Sequence, residues 1–267
     1  MPNERHAVAT LIQLTDSHLF AQDGASLMGM DTAESLHEVV KQVQLEHPHI
    51  DLILATGDIA QDGSVRAYER FLTLTRPLEA PVRWLAGNHD DVATLVKVGR
   101  HSELENRDFN VGNWRILLLN SAVEGQVAGF LAKAELERLE QSLINYPNKH
   151  HLVCLHHHPV DIGCEWMAPI GLQNTQDLWS VLGRYTNVRA LLWGHVHQRF
   201  DQVQNGIRLL ASPSTCIQFT PGSIEFSVSD QAPGYRWFKL YEEGELETGI
   251  SRAEGYTFVI DRSTQGY

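Results

Sequence analysis

Cysteine is scarce: Cys154, Cys164 and Cys216 are the only three in 267 residues. An odd, sparse set without a CxxC pair excludes a disulfide framework and a zinc ribbon, and points to reduced thiols. Basic residues are few, 21 Lys and Arg against 33 Asp and Glu, for a formal charge of −12. Such a surface repels a nucleic-acid backbone or an anionic membrane, so neither is expected as a partner. No run of about 18 apolar residues occurs, which leaves no candidate membrane-spanning helix. The start, Met1-Pro2-Asn3-Glu4-Arg5-His6, shows no basic leader or small-residue cleavage site, and a cytoplasmic location is expected. Low-complexity stretches, internal repeats and linkers are also missing, so residues 1–267 are expected to form one domain.

What is present is an ordinary globular composition, 43% hydrophobic and 20% charged, with 14 histidines. Val8 to Thr15, Leu52 to Thr56, Val82 to Ala86, His151 to His157 and Val188 to Trp193 read as buried strands. Asp108 to Val111 and Arg115 to Asn120 read as a strand pair. Helices are expected from Asp31-Thr32 to Glu46, from a Ser64 cap through Val65, Tyr68, Phe71 and Leu72, from Leu131 to Ile144, and from an Asn174 cap to Tyr185. Asn205-Gly206 and Glu243-Gly244 are hairpin signals. Strand–helix alternation followed by hairpins predicts an α/β fold with parallel and antiparallel strands in two sheets covered by helices.

Five of these strands end in residues with ligand chemistry: Asp16-Ser17-His18, Gly57-Asp58, Gly87-Asn88-His89-Asp90, His156-His157-His158-Pro159 and Gly194-His195-Val196-His197. In α/β sheets ligands bind beyond the carboxyl ends of the strands. Carboxylate, imidazole and amide oxygen suit hard or borderline divalent metals. In extended backbone, residues two apart share a side. Asp16 and His18 then chelate one ion, and His195 and His197 each reach one member of a pair. Gly57, Gly87 and Gly194 are expected to supply sharp turns. The other histidines, His6, His37, His47, His49, His101, His150 and His151, are read as surface or structural, and Cys216 as a small buried hydrophobe.

Taken together, DxH…GD…GNHD…H…GHxH resembles the calcineurin-like metallophosphoesterase superfamily. That resemblance implies a β-sandwich of two mixed sheets flanked by helices (αββα). The segments Thr15–Phe20, Gly57–Asp62, Leu155–Pro159, Pro213–Cys216 with Gln218-Phe219, and Ala232–Arg236 resemble the bacterial class III 3′,5′-cyclic AMP phosphodiesterases. By motif, the first metal takes Asp16, His18, Asp58 and His197, and the second takes Asp58, Asn88, His157 and His195, with Asp58 bridging. The family places its ligand two residues before a proline, which selects His157; strand alternation sets it apart from His156 and His158, which are left to shape the surroundings. The resemblance implies two divalent ions per chain, iron(II) first, manganese(II) next and zinc(II) allowed.

The implied reaction hydrolyses cyclic AMP to 5′-AMP by in-line attack of a hydroxide bridging the metals, lowering intracellular cyclic AMP. Two divalent cations, less two carboxylates and a hydroxide, leave a core of about +1, which explains how an acidic protein binds an anion. His18, Asp58, Asn88, His89 and His197 would meet the substrate. His89 is the expected proton donor to the leaving 3′-oxygen, with Asp90 orienting it. Two alternatives stand beside this reading. One is a metallophosphoesterase of broader specificity, acting on other diesters or monoesters. The other is a protein-binding scaffold, a class that typically loses ligands that here are all present. The oligomeric state is not readable.

Overall fold

The computed structural model describes residues 6–100 and 102–263; His101 and the first five residues lie outside it. The strands in chain order are β1 (Ala9–Leu14), β2 (Ser26–Leu27), β3 (Met30–Asp31), β4 (Leu52–Thr56), β5 (Val82–Leu85), β6 (Asp108–Val111), β7 (Trp114–Leu118), β8 (His150–Cys154), β9 (Val188–Trp193), β10 (Phe200–Gln204), β11 (Ile207–Ala211), β12 (Gln218–Phe219), β13 (Val228–Ser229), β14 (Gly234–Leu240) and β15 (Leu246–Arg252). The helices are α1 (Thr32–Glu46), α2 (Val65–Thr75), α3 (Val92–Gly99), α4 (Lys133–Asn145) and α5 (Thr175–Leu182).

Two sheets carry the fold, in the orders β15-β14-β1-β4-β5 and β10-β11-β9-β8-β7-β6. In the first, β1, β4 and β5 run parallel. In the second, β7, β8, β9 and β11 do. Side-chain alternation separates their two faces. Ala9, Leu11, Leu52 and Leu54 of the first sheet meet Trp114, Ile116, Leu152 and Leu192 of the second in one core between the sheets. Their neighbours Ile12, Leu14, Ile53 and Ala55 face outward onto Leu36, Val39, Val40 and Val43 of α1 and Tyr68 and Phe71 of α2. On the far side Leu117, Val153 and Leu191 pack on Leu139 and Leu143 of α4 and Leu178 and Leu182 of α5. The result is the four-layer αββα sandwich expected from the sequence. Both faces of each sheet are covered, which is why the central strands read as unbroken apolar runs.

Two of the three expected caps are in place: Asp31 accepts from the amides of Ala33 and Glu34, and Ser64 from that of Ala67, whereas Asn174 precedes α5 without a side-chain cap bond and accepts from the Leu131 amide instead. Two further expectations change. Val65 sits at the start of α2 and is exposed rather than on its buried face. Strand β8 ends at Cys154, so the histidine triplet lies in the following loop and strand alternation does not govern it. Helix α3, capped by Asp91, had no counterpart in the sequence reading. Arg236 of β14 is buried and donates to the carbonyls of Ala211 and Phe200, tying one sheet to the other. No helix among the described residues is long and apolar enough to cross a membrane.

Candidate metal centre

The parallel strands of both sheets deliver their carboxyl ends to one edge of the sandwich, and the loops there bind one another through the backbone. The amides of Asp16 and His18 donate to the carbonyls of Gly57 and Asp58, that of Gly194 to His156, and that of Thr215 to Thr15. Asp16, His18, Asp58, His195 and His197 all have φ between 44° and 67°. Left-handed backbone is costly for residues with a Cβ and gathers at functional sites. It replaces the extended geometry expected of the Asp16-x-His18 and His195-x-His197 pairs. Gly57 does turn with positive φ, but Gly87 and Gly194 are needed for space. A Cβ on Gly87 would strike the Asp58 carboxylate, and one on Gly194 would strike the Thr15 hydroxyl.

Each inward imidazole is oriented by a carbonyl-type oxygen, which can only accept a hydrogen bond. His18 Nδ1 donates to Gln61 Oε1 at 2.6 Å, His197 Nδ1 to the Ile217 carbonyl at 2.9 Å, His156 Nδ1 to that of Thr56 at 2.9 Å, and His195 Nε2 to that of Ile170 at 3.1 Å. In the neutral form of such a ring the opposite nitrogen carries the lone pair. Such outer hydrogen bonds fix tautomer and ring direction in metal-binding histidines. His18 Nε2 and His197 Nε2 converge to 3.2 Å, and His197 Nε2 lies 3.4 Å from Asp16 Oδ1. Asp16, His18 and His197 form one compact donor group, and His156, His157 and His195 another. Asp58 joins His18 and His89 in a third group and Asp16 and His156 in a fourth, which places it between the first two.

The donor chemistry fits a metal. Asp58 Oδ2, Asn88 Oδ1 and His156 Nε2 are buried without a hydrogen-bond partner, a cost that a cation removes. Burial works against charge on Asp58, yet the imidazoles of His156 and His89 hold its carboxyl well below the usual range. Asp16 is likewise lowered, by His197, against the effect of its own burial. Burial brings His18 down to about 3 despite Asp58, and pushes His195 well below its ordinary value. Ionised carboxylates and neutral imidazoles are the forms that bind metal. His156 differs: burial lowers it, but the Asp58 carboxylate, 3.1 Å away, holds it up at about 9. A metal would displace that proton.

All seven expected ligand residues, Asp16, His18, Asp58, Asn88, His157, His195 and His197, lie at this centre. The triplet is where geometry and the family spacing part. His157 accepts from the Ser121 hydroxyl at Nδ1 (2.8 Å) and donates from Nε2 to the Val127 carbonyl (3.0 Å), so both its nitrogens are engaged. His156 is the ring that faces Asp58. His158 stacks on His195 with centroids 5.6 Å apart.

The half-exposed His89 is anchored by its amide on Asp58 Oδ1 and sets its ring edge-on to His18 at 5.0 Å. The Asp90 carboxylate accepts from the amides of Ile59, Ala60 and Gly87, stapling two of the loops together. Burial, reinforced by Asp58, raises Asp90 to about 7.

Sequence reasoning missed Gln61 and Ser121 as orienting groups, although Gln61 lies in the Gly57–Asp62 segment. It singled out Pro213–Cys216 without giving it a role. Ser214 Oγ donates to the Asp16 carbonyl at 2.7 Å and Thr215 Oγ1 to Ser17 Oγ at 3.0 Å, so this loop buttresses the left-handed turn at Asp16. Cys216 is fully buried, and burial pushes its thiol up to about 12, as suits a packing residue.

The calcineurin-like phosphoesterase family profile matches residues 9–199. The chain is similar to the 3′,5′-cyclic adenosine monophosphate phosphodiesterase CpdA of Pseudomonas aeruginosa, at 52% identity over 98% of this chain and 96% of that protein. It is also similar to the CpdA of Escherichia coli K12, at 39% identity over 100% and 98%. Among solved structures, a dimetal phosphatase from Danio rerio shares the fold with a TM-score of 0.69 at 16% identity, covering 92% of this chain and 97% of that one.

Proposed function

The chain belongs to the calcineurin-like phosphoesterase family, and from that premise we propose that it is a 3′,5′-cyclic AMP phosphodiesterase releasing 5′-AMP. The observation that carries this reading is the 52% identity to a protein of that name along nearly the whole chain. The converging donor set supports the chemistry, and the chain acts as one metallophosphoesterase domain. Asp16, His18, Asp58 and His197 would hold one divalent ion. Asp58, Asn88, His195 and, on the geometry above, His156 rather than His157 would hold the second. Two such ions supply Lewis acidity to the phosphate oxygens and lower the pKa of water.

The side chains do the rest. Ring directions set by Gln61, Thr56, Ile170 and Ile217 make the donor set rigid, so no reorganisation is needed as charge develops on phosphorus. His18, Asn88 and His197 border the phosphate position. Water gives up a proton as its oxygen adds to phosphorus opposite the 3′-oxygen, the P–O3′ bond breaks, and His89 delivers a proton to the departing oxygen and regains one from solvent. Nitrogen and oxygen donors without thiolate suit iron(II), manganese(II) and zinc(II) alike, and the family resemblance puts iron(II) first and manganese(II) next. The reduced cysteines fit a cytoplasmic enzyme that lowers intracellular cyclic AMP.

Incubation with cyclic AMP and separation of the products tests this reading. Release of 5′-AMP, without 3′-AMP, is expected. Turnover of a nitrophenyl diester with none of cyclic AMP would keep the metallophosphoesterase and discard the substrate in favour of broader specificity.

A further inference from the structure

Two clefts open beside His89. The larger, about 630 Å³, carries Asp62, Asp90, Asp91 and Glu124 in its wall. The smaller, about 240 Å³, has Asn88, His89 and His195 at one end. Its remaining wall includes Trp166, Met167, Ile170, Phe219 and Phe226, none of which is ionisable. A whole small ligand ordinarily occupies about 300–1,000 Å³, so the smaller cleft is sized for part of one.

The aromatic side chains come from two stretches of chain, the turn at Trp166 and the β12–β13 segment that carries Phe219 and Phe226, and form one wall. Trp166 stands edge-on to Phe219 at 5.0 Å and 81°, and to Phe226 at 5.2 Å and 82°. Its indole N–H donates to Ser223 Oγ at 3.1 Å, which satisfies its one polar atom. Phe219 stacks on His197, centroids 4.2 Å apart and planes within 8°, so the wall begins at the metal centre itself. Trp166 and Phe226 are half-buried, with part of their surface open to a ligand.

We propose that this slot takes the purine base of the cyclic nucleotide, with the phosphate at the Asn88–His195 end. The inference rests on the cyclic-nucleotide reading of the centre and names its base subsite. A purine is flat and mostly apolar on its faces, which matches aromatic walls and not the carboxylate-lined cleft. Ribose, ringed with hydroxyls, gains nothing from such walls. The slot recognises the base by its face. Stacking of this kind contributes about 5- to 150-fold in affinity per base.

The test compares 5′-AMP with ribose 5-phosphate, the same ligand without its base, by calorimetric titration of the metal-loaded protein. In the wild type 5′-AMP binds at least about fivefold tighter. In Trp166→Ala that advantage shrinks to about threefold or less, while ribose 5-phosphate affinity and metal content hold. Phe226→Ala, a smaller change in a half-buried side chain, moves the ratio the same way and guards against misfolding of the first variant. An unchanged ratio in both variants overturns the subsite, as does a wild type that binds the two ligands equally. Wild-type turnover of cyclic AMP is measured on the same samples. Its absence sinks the substrate reading, whereas turnover with an unmoved ratio sinks the slot alone.

Discussion

His156 Nε2 lies 3.1 Å from Asp58 Oδ2, and neither atom has a hydrogen-bond partner. A buried carboxylate oxygen and imidazole nitrogen that meet without a good hydrogen bond are arranged for a shared cation. His157, next in the chain, has both ring nitrogens engaged by Ser121 and Val127. His156→Ala should therefore drop metal content from two toward one per chain and turnover by at least about 100-fold, the upper end of what losing even an outer partner costs. His157→Ala should retain both metals. Metal analysis of the two variants after gel filtration decides, and the reverse pattern would restore the choice made from the proline spacing.

The amide of Gln61 holds His18 through a 2.6 Å contact to Nδ1. Gln61→Ala should weaken metal binding or turnover by about 10- to 100-fold. Gln61→Glu, which keeps an accepting oxygen, should recover most of the loss. Titration with a chelator-buffered metal series reads both, and equal affinity in wild type and Gln61→Ala removes the orienting role.

His89 supplies its backbone amide to Asp58 and its ring to the cleft. His89→Ala leaves the amide in place, so metal content should hold at two while kcat falls by about 10² to 10⁴. A kcat equal to wild type would remove His89 from proton delivery.

His151 is fully buried on β8, and burial lowers its pKa despite its contact with the Lys149 carbonyl at 3.1 Å. A depressed imidazole stabilises the fold above its unfolded value of about 6.5 and loses that contribution as pH falls toward the folded value. Stability should fall by up to about 1.4 kcal/mol per pH unit below 6.5 on this residue's account. His151→Leu should show a shallower decline between pH 6.5 and 5 in urea unfolding. Metal loss in acid is common to both chains and cancels in the difference; identical slopes would show that His151 binds its proton equally well in the folded and unfolded chain.

Strands and ligand loops were legible because each apolar run breaks abruptly into Asp, His or Asn, as at Leu14-Thr15-Asp16 and Leu192-Trp193-Gly194-His195. The caps Asp31 and Ser64 were equally local signals. The triplet was not, because β8 ends at Cys154 and the chain then leaves extended geometry, so alternation no longer says which imidazole faces Asp58. Helix α3 escaped notice because Val92-Ala93-Thr94-Leu95-Val96 is rich in β-branched residues and shows no clear helical stripe. Trp166 is remote in the chain from Phe219 and Phe226, and only the fold brings it to their wall.

Metal stoichiometry and cyclic AMP turnover on one sample test the central claim most directly. Iron(II) or manganese(II) is added stepwise to stripped protein, and 5′-AMP release is followed at each step. Turnover should rise with the second equivalent and level off at about two per chain, because Asp58 serves both positions. Full turnover at one metal per chain, or none with two bound, would contradict it.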